Sequence, residues 1–167
     1  MTTHSVVKPS VVSGIGLKDS SKAAVLSLLD LTLADEYLLY TKTRNFHWNV
    51  TGFHFAAMHK FFEEQYEQLD GFVDEVAERS RALGGRSLGS MREFLGKARL
   101  AESLGDAKKK EETMLAELLS DHESLARSLR KDVDECARLG DQGTADFLTG
   151  LLESHEKMAW MLRSHLS

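Results

Sequence analysis

Cysteine and proline are almost missing from this 167-residue chain, which has one of each, Cys136 and Pro9. A lone thiol cannot close an intrachain disulfide, so packing must hold the fold, as is usual in a reducing compartment. With no proline beyond position 9, nothing further along forces a helix to break. No segment joins a basic start to a long apolar run, which argues against a secretory leader and a membrane span and makes a cytoplasmic location the expectation. A basic excess is missing too. The net charge of -5 excludes a surface coated for nucleic acid, though not a local basic arm.

What remains is an ordinary globular composition, 42% apolar and 28% charged, sufficient for one buried domain at this length. Residues 1–18 stand apart: they hold Lys8, Lys18 and His4 with no acidic residue among small side chains, and read as a flexible N-terminal tail. The bundle domain is expected over 19–167.

Within that domain a first helix is expected to begin after Asp19 or Ser20, either of which could cap it, and to run to about Asn49. One stripe holds Leu26, Leu29, Leu33, Tyr37 and Tyr40. Leu28, Leu31, Leu38 and Leu39 lie on other faces, more apolar surface than one bundle seam needs, which points to a subunit interface. A second helix is expected from about His54 to Leu83, ended by Gly84-Gly85. Glycines 89, 96 and 105 break the next stretch, where Met91 to Leu95 suits a turn or two of helix. Two further long helices are expected, Asp106 to Leu139 and Gly143 to Leu166. The fold class is therefore all-α: a ferritin-like four-helix bundle of two hairpins, with a short extra helix in the crossover.

The second helix carries His59 and Glu63 four residues apart, then Asp74 and Glu78 four residues apart. At about 100° per residue all four fall within an arc of roughly 100°, on one helix face. His59 and Asp74 are nonetheless 15 residues apart, about 22 Å along the axis, too far to grip one ion together. Two copies packed antiparallel about a twofold axis near Gln68 and Leu69 would bring the His59/Glu63 end of one to the Asp74/Glu78 end of the other, creating two equal sites. His47, beside the tight turn between the helices, falls near the His59 end. Imidazole with carboxylates suits Fe(II), and equally Zn(II), Mn(II) or Co(II). No histidine follows a glutamate by three residues, so the Glu-x-x-His pairs of an intrasubunit di-iron centre are not there.

These residues resemble the Dps family, the miniferritins also called DNA-binding proteins from starved cells. The likeness runs from about residue 22 to the C-terminus and centres on KTRNFHWNVTG at 42–52, then His59, Glu63, Asp74 and Glu78, AERSRALGG at 77–85 and TADFLT at 144–149. It implies a hollow homododecamer that oxidises Fe(II), with hydrogen peroxide in preference to oxygen, at sites on twofold interfaces, and stores the Fe(III) mineral inside. It assigns His47, His59 and Glu63 to one subunit's share of the site and Asp74 and Glu78 to its neighbour's. The family usually has aspartate where this chain has Glu63. Trp48 resembles a site tryptophan that takes up an electron; packing at an interface is its other reading. Asp141 and Asp146 resemble acidic residues lining threefold pores, and Asp141 suits a helix cap as well. Cys136 reads as a buried small hydrophobe.

Family members commonly bind DNA through a lysine-rich extension. This tail is poor in lysine, so weak or absent DNA binding is expected near neutral pH. The competing readings are a nucleoid-associated, DNA-protecting shell with an idle or zinc-filled site, and a helical interaction module without metal.

Overall fold

Apolar side chains recurring every three to four residues wind the chain into helices in the computed structural model, which describes residues 13–103 and 109–167. In order these are α1 (Asp19–Asn49), α2 (Phe55–Ala82), α3 (Met91–Lys97), α4 (Glu111–Arg138) and α5 (Gln142–His165), and no strand occurs among the described residues. The all-α bundle expected from the sequence is the fold observed. No described helix is long and apolar enough to cross a membrane.

α1 packs along α2 and α4 along α5, giving two antiparallel hairpins; α1 also meets α4 and α3. Leu29, Leu33, Phe62, Leu69, Leu118, Leu129, Leu148 and Leu162 fill the interior without exposure beyond 1%. Each such burial contributes about 1.5–3 kcal/mol. Leu38 and Leu39, whose excess suggested a subunit interface, are instead buried within this chain, at 7% and 0% exposure. The crossover supplies part of that cover, for Leu38 borders the groove between α1 and α3.

Hydrogen bonds anchor the crossover at its middle. Asp35, 1% exposed on α1, accepts from the backbone amides of Arg99 and Leu100 at 2.6 and 3.1 Å and from Arg99 Nε at 2.6 Å. Arg99 Nη1 continues to Asp132 on α4 at 2.8 Å, so one guanidinium ties the connection to both hairpins. Lys42 does the same one level away, donating to the Ala101 carbonyl and to Asp121.

The ends are set locally. α1 starts at Asp19, and Lys18 before it gives no side-chain cap, so neither Asp19 nor Ser20 serves the expected capping role. Asp141 does cap α5, its carboxylate accepting from the Thr144 amide at 2.9 Å. Gly140 ends α4 with φ at 83°, a conformation costly for any residue with a Cβ. Of the expected tail, residues 1–12, including His4 and Lys8, lie outside the described residues. Ser13 accepts from Lys22 Nζ at 2.6 Å. Cys136 is fully buried, and that burial pushes its thiol up to about 12, as expected of an inert hydrophobe.

Candidate metal centre

The turn after α1 brings its last residues against the first turns of α2, and two imidazoles meet there face to face. The rings of His47 and His59 stack with centroids 3.7 Å apart at 21°. His47 Nδ1 lies 2.7 Å from the His59 carbonyl and His59 Nδ1 lies 2.9 Å from the His47 carbonyl. A carbonyl only accepts, so each Nδ1 carries the proton and donates. In the neutral ring the lone pair is then left on Nε2. This is the tautomer that metal-ligating histidines are commonly held in by a backbone partner.

Glu63 stands one turn beyond His59. Its carboxylate accepts from Lys60 Nζ at 2.7 Å, and that bond, with the nearby charge of Lys60 and the two imidazoles, holds it below the usual carboxylate range. Asp74 and Glu78 lie further down α2, exposed and with no hydrogen-bond or ion-pair partner among the described residues. The structure therefore gathers His47, His59 and Glu63 at one end of the α2 face and leaves Asp74 and Glu78 at the other. Among the described residues of one chain, no three His, Cys, Asp or Glu side chains converge as a metal site. Glu67 and Asp70 share that helix face and are exposed, so the stretch between the two clusters is acidic as well. Pairing two such faces without cations would set carboxylate against carboxylate.

Trp48, next to His47, Phe53 and Phe55 are exposed, at 64%, 99% and 46%, and the Phe55 ring stacks on His59 at 5.1 Å, so bare apolar surface lies beside the two histidines. Arg44, one turn before Trp48, lies over three rings, with its guanidinium carbon 5.1 Å from the Trp48 centroid, 5.5 Å from Tyr40 and 4.8 Å from Tyr66. The sequence reading passed over Arg44, although its spacing of three and four residues from His47 and Trp48 places it on their side of the helix.

The two acidic residues assigned to a pore differ in setting. Asp141 is 3% exposed and spends its carboxylate on Thr144 and on Arg79 Nη2, 3.0 Å away. Asp146 is exposed on the next turn of α5.

A further polar cluster, which no spacing along the chain foretells, sits in the middle of the bundle. His155 Nε2 lies 2.8 Å from Glu36 Oε1, and His155 Nδ1 lies 2.9 Å from His122 Nδ1, all three residues having zero exposure. Burial, and next to it the charge of His155, hold His122 neutral, well below the usual histidine range. These three are joined in a line with His155 between the others and do not surround a common point, and Glu36 Oε2 and His122 Nε2 are left without a hydrogen-bond partner among the described residues.

Residues 26–167 match the ferritin-like domain family. The chain is 50% identical over 153 residues to a low temperature-induced protein of Nostoc sp., covering 91% of this chain and 85% of that one. It is 35% identical over 144 residues to DNA protection during starvation protein 2 of Bacillus anthracis, covering 86% and 97%. Among solved structures it is similar to a Dps protein of Vibrio cholerae O1, a member of a broad superfamily of ferritin-like diiron-carboxylate proteins. That match has a TM-score of 0.88 and 27% identity and covers 96% of this chain and all of the other.

Proposed function

The chain belongs to the Dps family of ferritin-like proteins, and from there we propose that it is a ferroxidase acting as a twelve-subunit shell, with Fe(II) as substrate and Fe(III) mineral as stored product. The observation that carries this reading is the reciprocal bonding of His47 and His59, which fixes both rings with Nε2 available. Glu63 adds a carboxylate at the same end, and Asp74 and Glu78, without a partner among the described residues of their own subunit, suit the neighbour's site.

An antiparallel pair of α2 helices makes two such sites, each with imidazoles and Glu63 from one subunit and two carboxylates from the other. The exposed side chains of Trp48, Phe53 and Phe55 supply apolar surface for that contact. Each site collects charge that opposes the positive ion and orients the imidazoles toward it. Hydrogen peroxide, the preferred oxidant over oxygen, takes one electron from each of two Fe(II) ions and two protons, leaving two waters and no hydroxyl radical. Asp146, exposed at the start of α5, belongs to the path by which iron reaches the interior, whereas Asp141 serves the fold. The cytoplasm is the proposed location. DNA binding is weak or absent, since the basic groups of the tail are few.

The test is stopped-flow oxidation of Fe(II) by the purified protein under peroxide and under air, with light scattering to size the particle. The expected result is faster oxidation with peroxide by a twelve-subunit particle, strongly slowed in a His59→Ala, Glu78→Ala double variant that still assembles. Equal rates in the wild type and the assembled double variant would reject the site.

A further inference from the structure

The chain contains three tyrosines, and all three lie in one line that starts at His47. The Tyr66 ring meets His47 edge-on with centroids 5.1 Å apart. Tyr40 follows at 6.3 Å from Tyr66, and Tyr37 at 6.0 Å from Tyr40. Tyr37 then stacks on Phe94 of α3 at 4.3 Å and borders a groove of about 300 Å³ shared with Thr41, Met91, Phe94 and Leu95. These rings are half-buried, with Tyr37 and Tyr40 packed against the edge of the aliphatic core, and they follow one another from the His47 end of α1 to the groove beside α3. Arg44 braces the line: Nη1 donates to the Tyr40 hydroxyl at 2.5 Å and the guanidinium covers the Tyr66 ring.

We propose that Tyr66, Tyr40 and Tyr37 form a one-electron relay that carries oxidising equivalents from the His47/His59 site to the groove at Tyr37, where a small phenol is the reductant. This rests on the ferroxidase reading and adds a second activity, phenol oxidation by peroxide. When a site holds a single Fe(II), that ion gives peroxide one electron and Tyr66 gives the other. The Tyr66 phenol proton and one from solvent complete two waters, leaving Fe(III) and a neutral tyrosyl radical. An electron and a proton from Tyr40 restore Tyr66, and Tyr37 restores Tyr40 in the same way. Arg44 stays hydrogen-bonded to the Tyr40 oxygen throughout, because that oxygen accepts in both states. A phenol in the groove then gives Tyr37 one electron and one proton and leaves as a phenoxyl radical.

The experiment uses the assembled protein given one Fe(II) per site and then peroxide, with freeze-quenched electron paramagnetic resonance as the first readout and guaiacol oxidation as the second. The expected results are a tyrosyl signal that falls about tenfold in Tyr66→Phe, and guaiacol oxidation that falls about tenfold in Tyr37→Phe. Wild-type protein that oxidises Fe(II) but gives no tyrosyl signal, or a Tyr37→Phe variant that oxidises guaiacol at the wild-type rate, overturns the relay and leaves the ferroxidase reading standing. Protein that oxidises no Fe(II) overturns both.

Discussion

His47 and His59 hold one another in place: the Nδ1 of each donates to the backbone carbonyl of the other, at 2.7 and 2.9 Å. Both acceptors are backbone oxygens, so His47→Ala removes one imidazole and the face on which the other stacks, while the His59 ring keeps its bond to the carbonyl of residue 47. The expected outcome is Fe(II) oxidation reduced by more than about tenfold, with helix content unchanged by circular dichroism. A His47→Ala protein with near wild-type kinetics would mean the pair is a structural clasp for the α1–α2 turn.

Asp141 and Asp146 separate by role. Asp141→Ala removes the α5 cap and the tie to Arg79, and is expected to lower stability by about 1–2 kcal/mol in denaturant unfolding while iron uptake continues. Asp146→Asn changes an exposed charge, so stability should hold while iron uptake slows, most clearly at low ionic strength. The reverse assignment of the two effects would place the pore at Asp141.

The buried line Glu36–His155–His122 links stability to pH. His122 is held neutral in the fold, well below its usual value of 6.5, whereas the unfolded chain protonates it normally. The unfolded state therefore binds more protons below about pH 6.5, and stability is complete above that pH and falls beneath it, by up to about 1.4 kcal/mol per pH unit. The groups bonded along this line are His155 on α5 and, through it, Glu36 on α1. Thermal melts from pH 8 to 5 should show the fall in the wild type and a flatter profile in His122→Phe. Parallel profiles would assign the acid response to other groups.

The helices were legible because each reports itself locally: apolar side chains at helical spacing mark α2, α4 and α5, and Gly84 and Gly140 mark two of the ends. The histidine and carboxylate spacing along α2 was legible for the same reason, since a helix converts sequence separation into distance. The links between elements were not. Asp35 looks like one more acid on α1 until Arg99 arrives from 64 residues away, and Glu36 is an unlikely core residue until His155 arrives from 119. Leu38 likewise suggested an interface because the crossover beside it has a weak pattern of its own. Capping at Lys18 was missed because Asp19 and Ser20 satisfy the compositional rule and only the backbone shows that the helix begins one residue earlier.

Shared sites can be tested by mixing two broken subunits. A His59→Ala subunit lacks one half of the site, a Glu78→Ala subunit the other, and shells of either alone should oxidise Fe(II) slowly. In co-expressed shells half of the pairs are mixed, and in each mixed pair one of two sites is intact, so about a quarter of wild-type activity should return. If the mixed shells stay as slow as either parent, the ligands are not divided between neighbours, and the iron site must be built within one chain.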